Sequence, residues 1–193
     1  DMEVWSPAIP KYNNTSPFEQ IPFLFSVCYK EKDKIVYKNY LKPIENDARE
    51  LFLKELLSAT NSFDKILVFD KNLESQVLNK LCSLFPEHKK EIDELRNKMI
   101  DLSTPIQNFN FYHPKFNGNF SLKAVSEIFG EKSEYTALNI SSGIVAMHKY
   151  EGLLLEENEI NKEETKQQLI EYCNLDTLTC LKFFDYLLTE IKE

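Results

Sequence analysis

Glycine is nearly missing from this chain. Only four of its 193 residues are glycine, so no glycine-rich loop can cradle a phosphate against bare backbone, and "SSG" at 141–143 is not a nucleophile elbow. Cysteine is equally sparse. The four positions, Cys28, Cys82, Cys173 and Cys180, contain no C-x-x-C pair, which removes the usual zinc and dithiol motifs. Each lies in an apolar pattern, as expected of buried thiols in a reducing cytoplasm. No apolar run approaches the roughly 18 residues of a membrane span, and the first residues show no basic and apolar leader pattern. The expectation is a cytoplasmic protein without a membrane partner. Positive charge is short as well: Lys and Arg total 23 against 31 Asp and Glu, a net charge of -8. That balance argues against general polyanion binding through a basic surface.

What is present is an ordinary globular share of apolar residues, 42%, in a length that suits one well-cored domain over 1–193. Residues 1–5 read as a strand, followed by a proline-rich irregular stretch to Pro22. "FLFSVCYK" at 23–30 and "KIVYKNYL" at 34–41 are β-rich runs separated by a charged turn. Apolar recurrence then predicts a helix over 45–60, a short buried strand at 65–70, and a helix from Leu73 through Leu84. A polar helix is expected over 86–100, a long aromatic loop over 104–120, and helices over 121–129, ended by Gly130, over 141–150 and over 163–191. The acidic run "LEENEINKEE" before the last helix reads as solvated surface. Strands first and helices later suit a mixed sheet flanked by helices, an α/β fold.

Two features of this pattern carry chemistry. In "DMEVW" the alternation of a strand puts Asp1, Glu3 and Trp5 on one face and Met2 and Val4 on the other, so two like charges sit side by side. In the last helix, Leu169, Cys173, Asp176, Cys180, Phe183, Leu187 and Ile191 share one stripe whose single charged member is Asp176. A carboxylate on a packing face is costly unless paired or metal-bound. Tyr172 stands one turn before it and can present its hydroxyl to the same place. Together these acids suit hard divalent cations such as Mg²⁺ or Mn²⁺. Two such ions, about 3.5 to 4 Å apart, clamp the attacking and leaving oxygens of a phosphoryl displacement. Asp176 read alone is as well explained as a border residue of the stripe, and Asp185 falls off it.

Asp1-x-Glu3 on a first strand, an acid after a later strand, and Tyr172-x-x-x-Asp176 on a C-terminal helix resemble the DEDD superfamily of 3′-to-5′ exonucleases in its tyrosine-containing form. "AIPKY" at 8–12, "SPFEQIPFLFSV" at 16–27, "YHPKFNGNFSLKAV" at 112–125 and "YCNLDTL" at 172–178 are similar to an uncharacterised bacterial domain family within it. The resemblance implies a ribonuclease H-like fold and a two-metal, Mg²⁺- or Mn²⁺-dependent nuclease acting on the 3′ end of DNA or RNA. By position it implies that Asp1, Glu3 and Asp176 bind metal and that Tyr172 orients the attacking water. The remaining acid maps to Glu74, with Asp70 as the alternative; Asp70 read as a cap of the following helix needs no metal. Lys123 would meet a substrate phosphate, or else reach solvent from a first helical turn. Phe109, Phe111, Tyr112, Phe116 and Phe120 could stack unpaired bases or plug a core edge. The sequence departs from the pattern at Val4, usually threonine, at Leu24, usually glutamine, and at Leu73, usually aromatic. A catalytically weak module for binding or assembly is therefore the alternative. Opening on a ligand, the domain is expected to have been excised from a longer protein, whose other domains would be its partners.

Overall fold

The computed structural model describes residues 1–32, 34–129, 135 and 138–190. Gly130 as a helix end and Ile191 as a stripe member lie outside the described residues. Strands β1 (Met2–Trp5), β2 (Ile21–Glu31) and β3 (Lys34–Leu41) form an antiparallel sheet in that order. Helix α1 (Arg49–Thr60) follows, then β4 (Ile66–Val68), α2 (Asn72–Leu84), α3 (Lys89–Lys98) and β5 (Met99–Asp101). β4 and β5 pair in parallel as a second sheet. After a short α4 (Thr104–Gln107) come α5 (Leu122–Phe129), α6 (Gly143–Gly152) and the long α7 (Glu159–Glu190). The protein is thus mixed α/β, with two small sheets flanked by helices.

β2 sits at the centre because both of its faces are apolar, which lets α1 and α7 pack on it. Trp5, Leu24, Tyr150, Leu169 and Tyr172 share the cluster that holds α6 and α7, whereas Met2, Phe25, Phe52, Leu78 and Ile92 form the one beneath α1, α2 and α3. The register steps between Glu3 and Val4, leaving Phe23 as an extra residue in β2. This bulge turns Phe23 to the same side as Leu24, where it stacks on Tyr150 at 4.1 Å. Each fully buried side chain such as Phe52 or Leu78 stabilises the fold by about 1.5–3 kcal/mol.

Several expected boundaries move for identifiable reasons. α1 starts at Arg49 rather than residue 45, because Asp47 folds back to accept two hydrogen bonds from the buried Arg49 guanidinium. The run expected as one polar helix over 86–100 contains a 3₁₀ turn at Pro86–His88, then α3, and its last residues belong to β5. The strands form two sheets rather than one continuous mixed sheet. The aromatic loop is partly a core plug: Phe116 is buried and Phe111 and Phe120 pack beside it, while Phe109 and Tyr112 are exposed. Cys173 and Cys180 are buried, Cys28 and Cys82 half-buried, and all four are free thiols.

Candidate functional site

The backbone pairing of the first residue begins the site. Asp1 exchanges both ladder bonds with Ser26, its N–H donating at 3.1 Å and its carbonyl accepting at 3.0 Å. The pleat then brings Asp1 and Glu3 to the α7 side of the sheet, under Asp176. Carboxylate oxygens of Asp1, Glu3 and Asp176 all lie within 4.8 Å of one another. Glu3 and Asp176 are buried, at 8% and 6% exposure. Asp1 also accepts a hydrogen bond from the Cys173 thiol, at 3.2 Å to Oδ2.

Around this trio the fold supplies partial compensation. The Tyr135 hydroxyl donates to Asp176 Oδ1 at 2.7 Å, and the Tyr172 hydroxyl, one helical turn away, donates to the same carboxylate. Lys123 reaches over from α5. Its ammonium donates to the Ser141 carbonyl and lies 5.5 Å and 5.2 Å from the ring centres of Tyr135 and Tyr172. Burial lowers its pKa, while Asp176 and Glu3 pull the other way. α6 approaches from the remaining side with its amino end capped by Ser142, and its backbone comes so close that a Cβ at Gly143 would stand 3.1 Å from Glu3 Oε2. Glycine is needed there for closeness, not for an unusual turn.

The charges are still not balanced. Burial, followed by the neighbouring Asp176 charge, pushes Glu3 up to about 8, against the opposing pull of the terminal ammonium and Lys123. Burial raises Asp176 too, even though Tyr135, Lys123 and Tyr172 favour its ionised form. The Tyr172 phenol is driven far above its ordinary range by burial and by Asp176 and Glu3. It is a neutral donor at any physiological pH.

The two candidates for the further acid separate cleanly. Glu74, in the first turn of α2, is 4% exposed and its Oε2 has no hydrogen-bond partner. Burial raises its pKa. It lines a small cavity of about 30 Å³ together with Asp1, yet falls outside the compact trio. Asp70 is exposed at a positive φ of 60° and accepts from the Asn72 backbone and side-chain amides, as a residue shaping the start of α2 does. The turn before α2 is fixed from the other strand end. Asp101, at the end of β5, accepts from the backbone N–H groups of Asp70, Lys71 and Ser103 and from the Ser103 hydroxyl.

Sequence reasoning missed three of these residues. Tyr135 lies in a stretch with no clear period, Gly143 looked like an ordinary first-turn glycine, and Asp101 was assigned near the end of a helix. A signal existed only for Asp101, since an acid followed two residues later by serine or threonine favours a local Asx turn.

Among curated proteins and among solved structures, nothing matches this chain. A family model does. It covers residues 1–121, which contain Asp1, Glu3 and Glu74 and stop short of Lys123, Tyr172 and Asp176. By that match, over more than half its length, the chain belongs to the family described as Domain of unknown function (DUF2779).

Proposed function

We propose that the protein is a divalent-metal-dependent 3′-to-5′ exonuclease with a ribonuclease H-like fold, hydrolysing nucleic-acid phosphodiester bonds. The observation that carries this reading is the meeting of Asp1, Glu3 and Asp176 within 4.8 Å, although they come from opposite ends of the chain. Three carboxylates gain nothing from each other's company, and an all-oxygen donor set suits Mg²⁺ or Mn²⁺. The buried, unpartnered Oε2 of Glu74 adds a donor with no other use. In this reading the four acids hold two ions, which supply charge stabilisation to the attacking and departing oxygens.

The chain's own groups do the rest. Tyr172, kept protonated, orients a water by donating a hydrogen bond and does not act as a base. Lys123 offers a point charge to a phosphate oxygen. Phe109 and Tyr112, exposed at 74% and 54%, present faces on which unpaired bases can stack. The water oxygen bonds to phosphorus, the bond to the neighbouring nucleotide's 3′ oxygen breaks, and a nucleoside 5′-monophosphate leaves. The test is digestion of 3′-terminal single-stranded DNA and RNA with Mg²⁺ or Mn²⁺. Asp176→Asn is expected to abolish it without unfolding the chain, and equal, metal-independent activity in both proteins overturns the reading.

A second reading, a catalytically weak module retained for binding or assembly among other domains of a parent chain, is favoured by Val4, Leu24 and Leu73. Leu24 is fully buried against the acid-bearing strand, where the resemblance implies glutamine. Calorimetric titration with Mn²⁺ separates the two readings: absence of binding by the longest available form of the protein supports the module.

A further inference from the structure

The largest apolar cavity, about 330 Å³, lies between β2 and β4, and both of its long walls are strand edges. β2 pairs with β3 along Leu24–Glu31, but its other edge meets β1 only as far as Ser26. β4 pairs with β5 on one edge and, among the described residues, with no strand on the other. Antiparallel ladders alternate. Because Ser26 spends both backbone groups on Asp1, the N–H and C=O of Cys28 and Lys30 point the same way, into the cavity, while those of Val27 and Tyr29 point to β3.

We propose that this groove is a strand-docking site whose occupant is an extended apolar run of polypeptide continuing β1 beyond Asp1. Three features specify that occupant. The β1–β2 ladder is still in register at Asp1, so a continuing chain enters the groove without a turn, opposite Val27 to Lys30. The direction also matches β4: Phe63, before β4, touches Tyr29 late in β2 at 5.1 Å, while Asp1 shares its small cavity with Val68 and Glu74 at the far end. The added strand would therefore lie parallel to β4 and antiparallel to β2. Finally, both faces are dry. On one side wait Cys180, Leu181 and Phe184 of α7; on the other are Leu56 of α1 and Leu95 of α3. A strand covered on both faces reads as a continuous apolar run rather than an alternating one. Its insertion would join the two sheets into one, in the order β3, β2, β1, β4, β5, and would hide two edges otherwise open to aggregation.

The experiment compares the chain carrying a Val-Ile-Val-Val extension ahead of Asp1 with the chain carrying Ser-Asn-Gly-Ser there, by amide hydrogen exchange. Val27 and Tyr29, bonded to β3 in both, report that the fold is intact. With the apolar extension the Cys28 and Lys30 amides are expected to exchange about tenfold more slowly, or slower still, the effect of one secured hydrogen bond. Equal rates in the two proteins overturn the proposal. A third arm adds the apolar tetrapeptide free in solution at equimolar concentration. Protection as strong as that in the fused protein would overturn the claim that β1 itself delivers the strand. None of these readouts depends on metal or nuclease activity, so they fail or succeed separately from the nuclease reading.

Discussion

Glu3 offers the sharpest quantitative test, because its burial beside Asp176 has a pH signature that substitution can erase. Its carboxyl ionises near 8 in the folded protein and near 4.5 when free of the fold. Below 4.5 both states carry the proton and nothing is lost. Between 4.5 and 8 the unfolded chain releases it while the folded chain keeps it, so stability falls as pH rises, by about 1.4 kcal/mol per pH unit. Over the full window this amounts to about 5 kcal/mol, an upper bound because the proton is shared with Asp176. Glu3→Gln removes the titration at nearly constant shape. Urea unfolding at pH 5, 6, 7 and 8 in EDTA is expected to show the wild-type chain losing stability steadily relative to Glu3→Gln. If bound Mn²⁺ substitutes for that proton, millimolar Mn²⁺ restores the wild type most at pH 8, where the carboxyl is freest to ionise, and leaves Glu3→Gln unmoved. Parallel stability curves for the two proteins in EDTA would refute the electrostatic account of the site.

Two other predictions rest on groups away from the acid cluster. Asp101→Ala releases the backbone amides of Asp70, Lys71 and Ser103 and is expected to cost about 1–3 kcal/mol in urea unfolding; a loss below about 0.5 kcal/mol would show that solvent takes over these bonds fully. Lys42 is buried, with its ammonium bonded to the Tyr12 hydroxyl and to the Pro43 and Asn46 carbonyls, and burial lowers it to about 8 from 10.5. The unfolded chain holds more protons between those values, so wild-type stability should rise with pH from 8 to 10.5 relative to Lys42→Met, by at most about 1.4 kcal/mol per pH unit. A flat difference would mean that the ammonium is as well solvated inside as out.

The helical stripe and the strand alternation were legible because each is a period, and a period needs only residue types. Leu169, Cys173, Asp176, Cys180, Phe183 and Leu187 are all buried on α7, so the odd acid on that face was a genuine signal. Asp1 and Glu3 were likewise placed on the face opposite Met2 and Val4 by alternation alone. β5 was not legible. Its three residues, Met99–Asp101, continue the apolar spacing of α3 and acquire strand geometry only by pairing with β4, a contact absent from local sequence. Tyr135 and Gly143 were invisible for a related reason: one acts through a hydroxyl reaching Asp176, the other through the side chain it does not have.

The acid cluster and the open groove meet at one residue. The terminal ammonium of Asp1 donates to the Ser26 carbonyl and is also one of only two cationic groups that ease Glu3 toward ionisation, the other being Lys123. A strand continuing through Asp1 would keep the hydrogen bond, since a peptide N–H donates equally well, but would delete the charge. The cluster would then hold Asp1, Glu3 and Asp176 against Lys123 alone, with Glu74 close behind. Completing the sheet therefore sharpens the repulsion among the carboxylates, and with it their demand for protons or for bound cations. On this argument the groove and the site are coupled through electrostatics: the same strand that closes the gap between β2 and β4 raises the affinity of the acids for whatever positive charge they bind.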